Sequence, residues 1–104
     1  MGHMSDRKCL PNRRGHELLD FEHAGIGYTA GVGRFEDGSL AEIFLNTRKH
    51  GTAVDVNARD AAVAASLLLQ HGCPIETLRR ALTRNADGSA SGPLARALDL
   101  LALP

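Results

Sequence analysis

Apolar and polar positions alternate along the first half of the chain, a pattern typical of β-strands with one buried face. The alternation covers three segments, residues 16–23, 28–33 and 40–46. Asp37 and Gly38 lie between the last two segments and predict a tight hairpin, because glycine adopts the positive φ that such turns require. The pattern therefore predicts a three-stranded antiparallel meander.

The two later strands have clearly different faces. The second carries Tyr28, Ala30 and Val32 on one side and is nearly bare on the other, where Thr29, Gly31 and Gly33 lie. Strict alternation along the third strand places Ala41, Ile43 and Leu45 on one face and Leu40, Glu42 and Phe44 on the other.

The hydrophobic period becomes helical after the connection that follows the third strand. Asn57 can cap a first helix over residues 58–71, with Asp60 at its third position, and Gly72 can end it in the left-handed conformation. Its apolar residues, Ala61 to Ala65 and Leu67 to Leu69, leave almost no polar face. We therefore expect it to be central and to pack against both the sheet and other helices.

Prolines mark the beginnings of two further helices. Pro74 can open a second helix that ends near Arg84, and Pro93 can open a third after a loop at residues 85–92. The order βββααα predicts an α+β domain over residues 16–104, in which three helices pack on the antiparallel sheet.

Composition and charge limit the functions that such a domain can have. The chain has 104 residues, and its 12 lysines and arginines balance 12 aspartates and glutamates. It therefore has no overall electrostatic field to attract nucleic acid or an anionic membrane.

Residues 1–15 are expected to be a disordered basic tail that begins with an expression scar, Met1 to Met4. The lack of a secretory signal or apolar span and the two unrelated cysteines favour a cytoplasmic protein with reduced thiols.

The connection after the third strand contains the strongest candidate binding site. Asn46, Arg48, Lys49 and His50 lie there, and Arg59 follows in the first turn of the predicted helix. Cations, an amide and an imidazole beside a helix N-terminus are suited to an anion, such as a phosphate or a nucleotide. A solvated connection between a sheet and a helix has a similar composition and is the alternative.

Other chemistries have weaker support. Cys73 directly precedes Pro74 at a predicted helix start and is a candidate reactive thiol, with His71 or His50 as its partner, although a buried cysteine is the alternative. The histidines lack metal-ligand spacing, so no metal site is predicted. The sequence indicates no catalytic group and no cofactor. Nucleic-acid binding through the basic tail and the Arg48-Lys49 patch is disfavoured, because no stacking aromatic lies nearby.

Residues 27–101 resemble the TSCPD domain, which occurs at the C-terminus of adenosylcobalamin-dependent ribonucleotide reductases and in short bacterial proteins. Four segments carry the resemblance: residues 33–46 (GRFEDGSLAEIFLN), 49–52 (KHGT), 70–78 (QHGCPIETL) and 90–98 (ASGPLARAL). They look like, in turn, the family's strand-turn-strand unit, its Lys-x-Gly-Ser segment, the joint between two helices, and its Thr-Ser-Cys-Pro-Asp motif.

The chain departs from the family in the motif that gives it its name. Ser91 and Pro93 match the motif, with Ser91 as a candidate helix cap, whereas its threonine, cysteine and aspartate are replaced by Ala90, Gly92 and Leu94. The cysteines that some members carry upstream are also missing, where this chain has Arg84 and Asn85. A thiol relay or a cysteine metal site is therefore not expected.

The resemblance implies a non-catalytic accessory or binding module linked to deoxynucleotide synthesis, with a protein or nucleotide partner. The alternatives are a cysteine-based redox or ribonucleotide-reductase-associated enzyme, and a weak nucleic-acid binder that acts through a basic patch. Self-association is also expected, through an exposed face of the sheet or through the third helix and the apolar residues that follow it, Leu100, Leu101 and Leu103.

Overall fold

A computed structural model describes residues 16–49 and 51–102 of the chain. Three strands, β1 (His16–His23), β2 (Ile26–Arg34) and β3 (Leu40–Thr47), precede three helices, α1 (Ala53–Gln70), α2 (Ile75–Ala81) and α3 (Pro93–Leu101). This order confirms the predicted α+β fold. The predictions for residues 1–15, for His50 and for Leu103 lie outside the described residues.

The strands form one antiparallel sheet in the order β1-β2-β3. Its core face carries the predicted apolar positions, including Ala30, Val32 and Ile43, which are fully buried. Phe21 and Tyr28 are paired across β1 and β2, and their rings stack with centroids 5.4 Å apart. The helices lie on this face, so the chain has a two-layer architecture.

A bulge corrects the predicted faces of β3. The register shifts next to Gly33, which pairs with Glu42, while Arg34 pairs with Leu40, so that Ala41 is an extra residue on β3. Beyond this point Leu40 turns into the core, where only 7% of it is exposed. Strict alternation placed Leu40 on the opposite face, which was wrong because an inserted residue reverses the alternation.

Helix α1 begins five residues earlier than the sequence predicted. Its N-cap is Thr52, whose hydroxyl oxygen accepts a hydrogen bond from the backbone N–H of Asp55 at 3.1 Å. Asn57 is therefore inside the helix and does not cap it. Thr52 and Asp55 have the spacing of a capping box, and contacts of Asp55 with β3 favour this earlier start. Gly72, with a φ of 95°, follows the helix end as predicted.

Polar side chains of α1 cover the free edge of β3. The Ser66 hydroxyl accepts from the N–H of Ile43 and donates to its carbonyl, both at 2.9 Å. Gln70 donates to the carbonyl of Ala41 at 3.1 Å. These contacts satisfy backbone groups that an edge strand otherwise leaves open to another chain.

The opposite face of α1 is exposed. We call it the α1 outer face and define it by its large apolar side chains, Val56, Val63, Leu67 and Leu68, which are 43–53% exposed. Within residues 16–49 and 51–102, α1 packs mainly on β3 and has few contacts with α3. The prediction that α1 packs against both the sheet and other helices is therefore confirmed, the helix contacts being few. The exposure of the outer face was not predicted, because an apolar pattern does not show which face has a neighbour.

The two short helices differ from prediction only at their ends. Helix α2 stops at Ala81, because Leu82 has extended backbone angles. Helix α3 starts at Pro93, as predicted, but its N-cap is Gly92. Ser91 is not the cap, since its hydroxyl donates to the side chain of Asn85 at 2.8 Å.

Candidate functional site

The connection between β3 and α1 is organised around the buried carboxylate of Asp55. One Asp55 oxygen accepts the backbone N–H of Thr47 at 2.9 Å, and the other accepts that of Gly51 at 3.4 Å. The Thr47 hydroxyl lies 3.2 Å from the first oxygen. These contacts, above all the one with the Thr47 N–H, lower the pKa of the Asp55 carboxyl below its usual range.

The sequence suggested that an external anion binds at the connection between β3 and α1. The structure places the carboxylate of Asp55, an anion of the chain itself, at this connection. Only 1% of Asp55 is exposed, and Arg59 lies 3.6 Å from its second carboxylate oxygen. The cation of Arg59 consequently has an internal partner.

The other predicted residues lie on or near the outer face of the sheet. Asn46 pairs with Thr29 there. The Arg48 side chain folds over Gly27, where a Cβ would lie 2.9 Å from the guanidinium carbon, so glycine makes room for it. Lys49 is exposed next to Arg48, and His50 lies outside the described residues.

A cleft of about 370 Å³ brings part of this set together. Arg48 and Lys49 line it with the hydroxyl-bearing residues Thr47 and Thr52, and its floor includes Gly27. Both hydroxyl groups already donate to the carbonyl of Lys49, at 2.7 Å from Thr47 and 3.4 Å from Thr52. The two cations are therefore the groups that can bind a phosphate by charge-assisted hydrogen bonds. Asn46 and Arg59 do not line the cleft. Anion binding by the predicted residues that do line it, Arg48 and Lys49, remains a prediction.

Cys73 occupies the turn between α1 and α2. Its backbone N–H donates to the carbonyl of Leu68 at 2.9 Å and completes the helix end at Gly72. Its half-buried thiol donates to the carbonyl of Pro74 at 3.6 Å. Cys73 lines a cleft of about 460 Å³ together with His71. The reactivity of this thiol remains a prediction that thiol labelling tests.

Neither a metal-ligating cluster nor a helix able to span a membrane occurs among residues 16–49 and 51–102. No group of three or more His, Cys, Asp or Glu side chains there is arranged to hold a metal ion. None of the helices in that part has the length and apolar character needed to cross a membrane.

Two structural features were not predicted from the sequence. One is an ion-pair cluster in which Arg79 and Arg84 both contact Asp99. Spacing along the chain gave no signal for it, because the loop between α2 and α3 separates the partners. The other is a cleft at the start of α3. The glycine before Pro93 was a signal for it, because glycine provides no side chain to cap the helix.

Comparison with known proteins identifies relatives of part of this chain. It is 36% identical over 78 residues to the vitamin B12-dependent ribonucleotide reductase of Agrobacterium fabrum, and 32% identical over 80 residues to that of Bradyrhizobium diazoefficiens. These matches include 75% and 77% of this chain but only 6% of each reductase. No protein-family model and no solved structure matches the chain. The relationship to a segment of these reductases is therefore established, whereas the TSCPD assignment is not.

Proposed function

We propose that this chain is a non-catalytic accessory module of the TSCPD kind, which binds a vitamin B12-dependent ribonucleotide reductase and so acts in deoxynucleotide synthesis. The observation that carries the proposal is the match of about three quarters of this chain to 6% of two much larger reductases. A segment that small relative to the whole enzyme is suited to binding or positioning.

The α1 outer face supplies a surface for such binding. Its four apolar side chains follow the helical spacing that places them on one side, and Asp60 is the acidic residue among them. Contiguous exposed apolar surface is typical of protein interaction sites. We therefore propose that this face contacts the body of the reductase.

The test is a titration of this chain into the intact vitamin B12-dependent reductase from the organism that makes it, followed by calorimetry. We expect saturable binding that Leu67→Glu with Leu68→Glu weakens by about tenfold or more, because docking would bury two unpaired charges. Leu18→Glu is the matched control, since Leu18 is 78% exposed on the other side of the sheet. Absence of binding by the parent chain, or equal losses in both variants, would contradict the proposal.

The cleft at Arg48 and Lys49 supports a second candidate function, binding of a nucleotide or phosphate ligand. The observation in its favour is that both cations line one concave site. We expect inorganic phosphate or ATP to raise the melting temperature of the parent chain, and Arg48→Ala with Lys49→Ala to abolish the shift. Arg96→Ala removes an exposed cation of α3 as a control. If neither anion shifts the parent chain, this candidate fails.

A further inference from the structure

A third cleft, of about 360 Å³, lies between the first half of α1 and the start of α3. Its walls are mainly apolar and include Val54, Ala58, Ala61 and Leu82. Tyr28 of the sheet also lines it. The cleft is separate from the α1 outer face and from the lining of the Arg48 cleft, with which it shares only Val54.

The hydroxyl group of Tyr28 has no hydrogen-bond partner among the described residues, although only 2% of the side chain is exposed. No fully enclosed side-chain oxygen or nitrogen in this part of the chain lacks a partner. The Tyr28 hydroxyl is therefore not fully enclosed, and the remaining accessible surface of this buried residue opens into the cleft that it lines. Burial also raises the pKa of the phenol, so it remains a neutral donor at neutral pH.

The N-terminus of α3 forms another part of the same cleft. Its N-cap, Gly92, has no side chain to accept the first N–H groups, and no other described side chain caps them. Pro93 has no N–H, and the N–H of Arg96 donates to the carbonyl of Gly92 at 3.1 Å. The N–H groups of Leu94 and Ala95 are therefore the donors that an incoming anion meets, at the positive end of the helix dipole.

The charge of the lining discriminates between anions. The described residues around the cleft include no lysine or arginine, and its polar side chains besides Tyr28 are those of Asn57 and Thr83. Two N–H groups and neutral donors are suited to a single negative charge, whereas a dianionic phosphate would lack a counter-ion. The volume accommodates about twelve non-hydrogen atoms, at about 30 Å³ for each water-sized group.

We infer that this cleft binds a small organic monocarboxylate with an aromatic or branched apolar body. The carboxylate accepts hydrogen bonds from the N–H groups of Leu94 and Ala95, the apolar body lies against the side chains of α1, and the Tyr28 hydroxyl offers one further hydrogen bond. This site is independent of the proposed reductase contact.

The probe is 3-phenylpropionate, titrated into the full chain and followed by ¹H-¹⁵N correlation spectra. We expect saturable shifts of the Leu94 and Ala95 amide signals with a Kd on the order of 1 mM, as is usual for a ligand of this size. The neutral 3-phenylpropanamide should bind about tenfold more weakly, because it lacks the charge. Phenyl phosphate should also bind more weakly than the carboxylate.

Three variants separate a ligand site from a structural effect. Gly92→Asp supplies a capping carboxylate from the chain itself, at a position where a Cβ meets no atom within 4 Å. It should raise the melting temperature and reduce binding by about tenfold or more. Gly92→Ala, which adds a Cβ without a cap, should leave binding nearly unchanged, and Tyr28→Phe should weaken it about fivefold.

Opposite results would overturn the inference. They include an absence of amide shifts in the parent chain, equal binding of the amide and the carboxylate, tighter binding of phenyl phosphate, or unchanged binding in Gly92→Asp.

Discussion

Asp99 joins α2 to α3 through two arginines. Arg84 Nη2 and Arg79 Nε each lie 2.9 Å from the Oδ1 atom of Asp99, and Arg84 Nη1 contacts its other oxygen. The hydrogen bonds from Arg84, and then the one from Arg79, lower the pKa of Asp99 to about 2. Arg84 therefore has a structural role as one of the two cations that hold Asp99.

We expect Asp99→Asn to lower the free energy of unfolding at pH 7 by on the order of 2 kcal/mol, since the side chain is only 21% exposed. The folded pKa of about 2 lies below the ordinary value of 3.8. The stabilisation is therefore complete above about pH 4 and is lost as the pH falls towards 2.

Urea unfolding of the parent chain and Asp99→Asn across this pH range measures the difference. Asp60→Asn changes an exposed carboxylate and serves as the control. A stability gap that stays constant down to pH 2 would show that the carboxylate charge is not the cause.

At the scale of elements, α1 protects the sheet by means of polar residues. Asp55, Ser66 and Gln70 lie along one side of the helix and contact Thr47, Ile43 and Ala41 in turn, so the helix follows the free edge of β3. Buried polar groups that are hydrogen-bonded avoid the cost of desolvation. The β3 edge is consequently less available for pairing with another strand.

Replacing Ser66 tests this arrangement. Ser66→Ala leaves the N–H and the carbonyl of Ile43 without their partner, and we expect it to destabilise the fold by about 1–3 kcal/mol. Ala64→Ser, on the exposed side of the same helix, should cost no more than about 0.5 kcal/mol. Chemical denaturation of both variants makes the comparison. Equal small losses would mean that water satisfies Ile43 when the serine is absent.

At the scale of the whole molecule, the zero net charge and the α1 outer face act together. A chain without net charge has little electrostatic repulsion between copies, and exposed apolar surface favours their association. The apolar residues Leu94 and Leu98 of α3 are buried. The α1 outer face is therefore a better candidate for self-association than α3.

In the absence of a partner, we expect the isolated chain at pH 7 to exceed its monomer mass of 11.1 kDa as its concentration rises. Light scattering coupled to size exclusion measures this mass. Leu67→Glu with Leu68→Glu should restore the monomer, because the added charges repel and resist burial. A larger effect of Leu18→Glu would instead place the contact on the outer face of the sheet, and a parent chain that is monomeric at all concentrations would exclude self-association.

The sequence by itself determined the number, order and type of the elements. Alternation in three segments, Asp37-Gly38 at the hairpin, Gly72 after α1 and Pro93 at the start of α3 are local signals, and each acts within a few residues. Neighbours in the chain therefore suffice to predict the elements. The same signals located Arg48 and Lys49 at the end of β3 but did not show which of their neighbours would share a cleft.

Only the tertiary structure decided how these elements are used. The bulge that buries Leu40, the contact of Asp55 with β3 and the position of Tyr28 at the α3 cleft all depend on how different elements pack against each other. The apolar pattern of α1 was visible in the sequence, whereas the exposure of its outer face was not. Periodicity reports that a face is apolar, and only packing determines whether another part of the chain covers it.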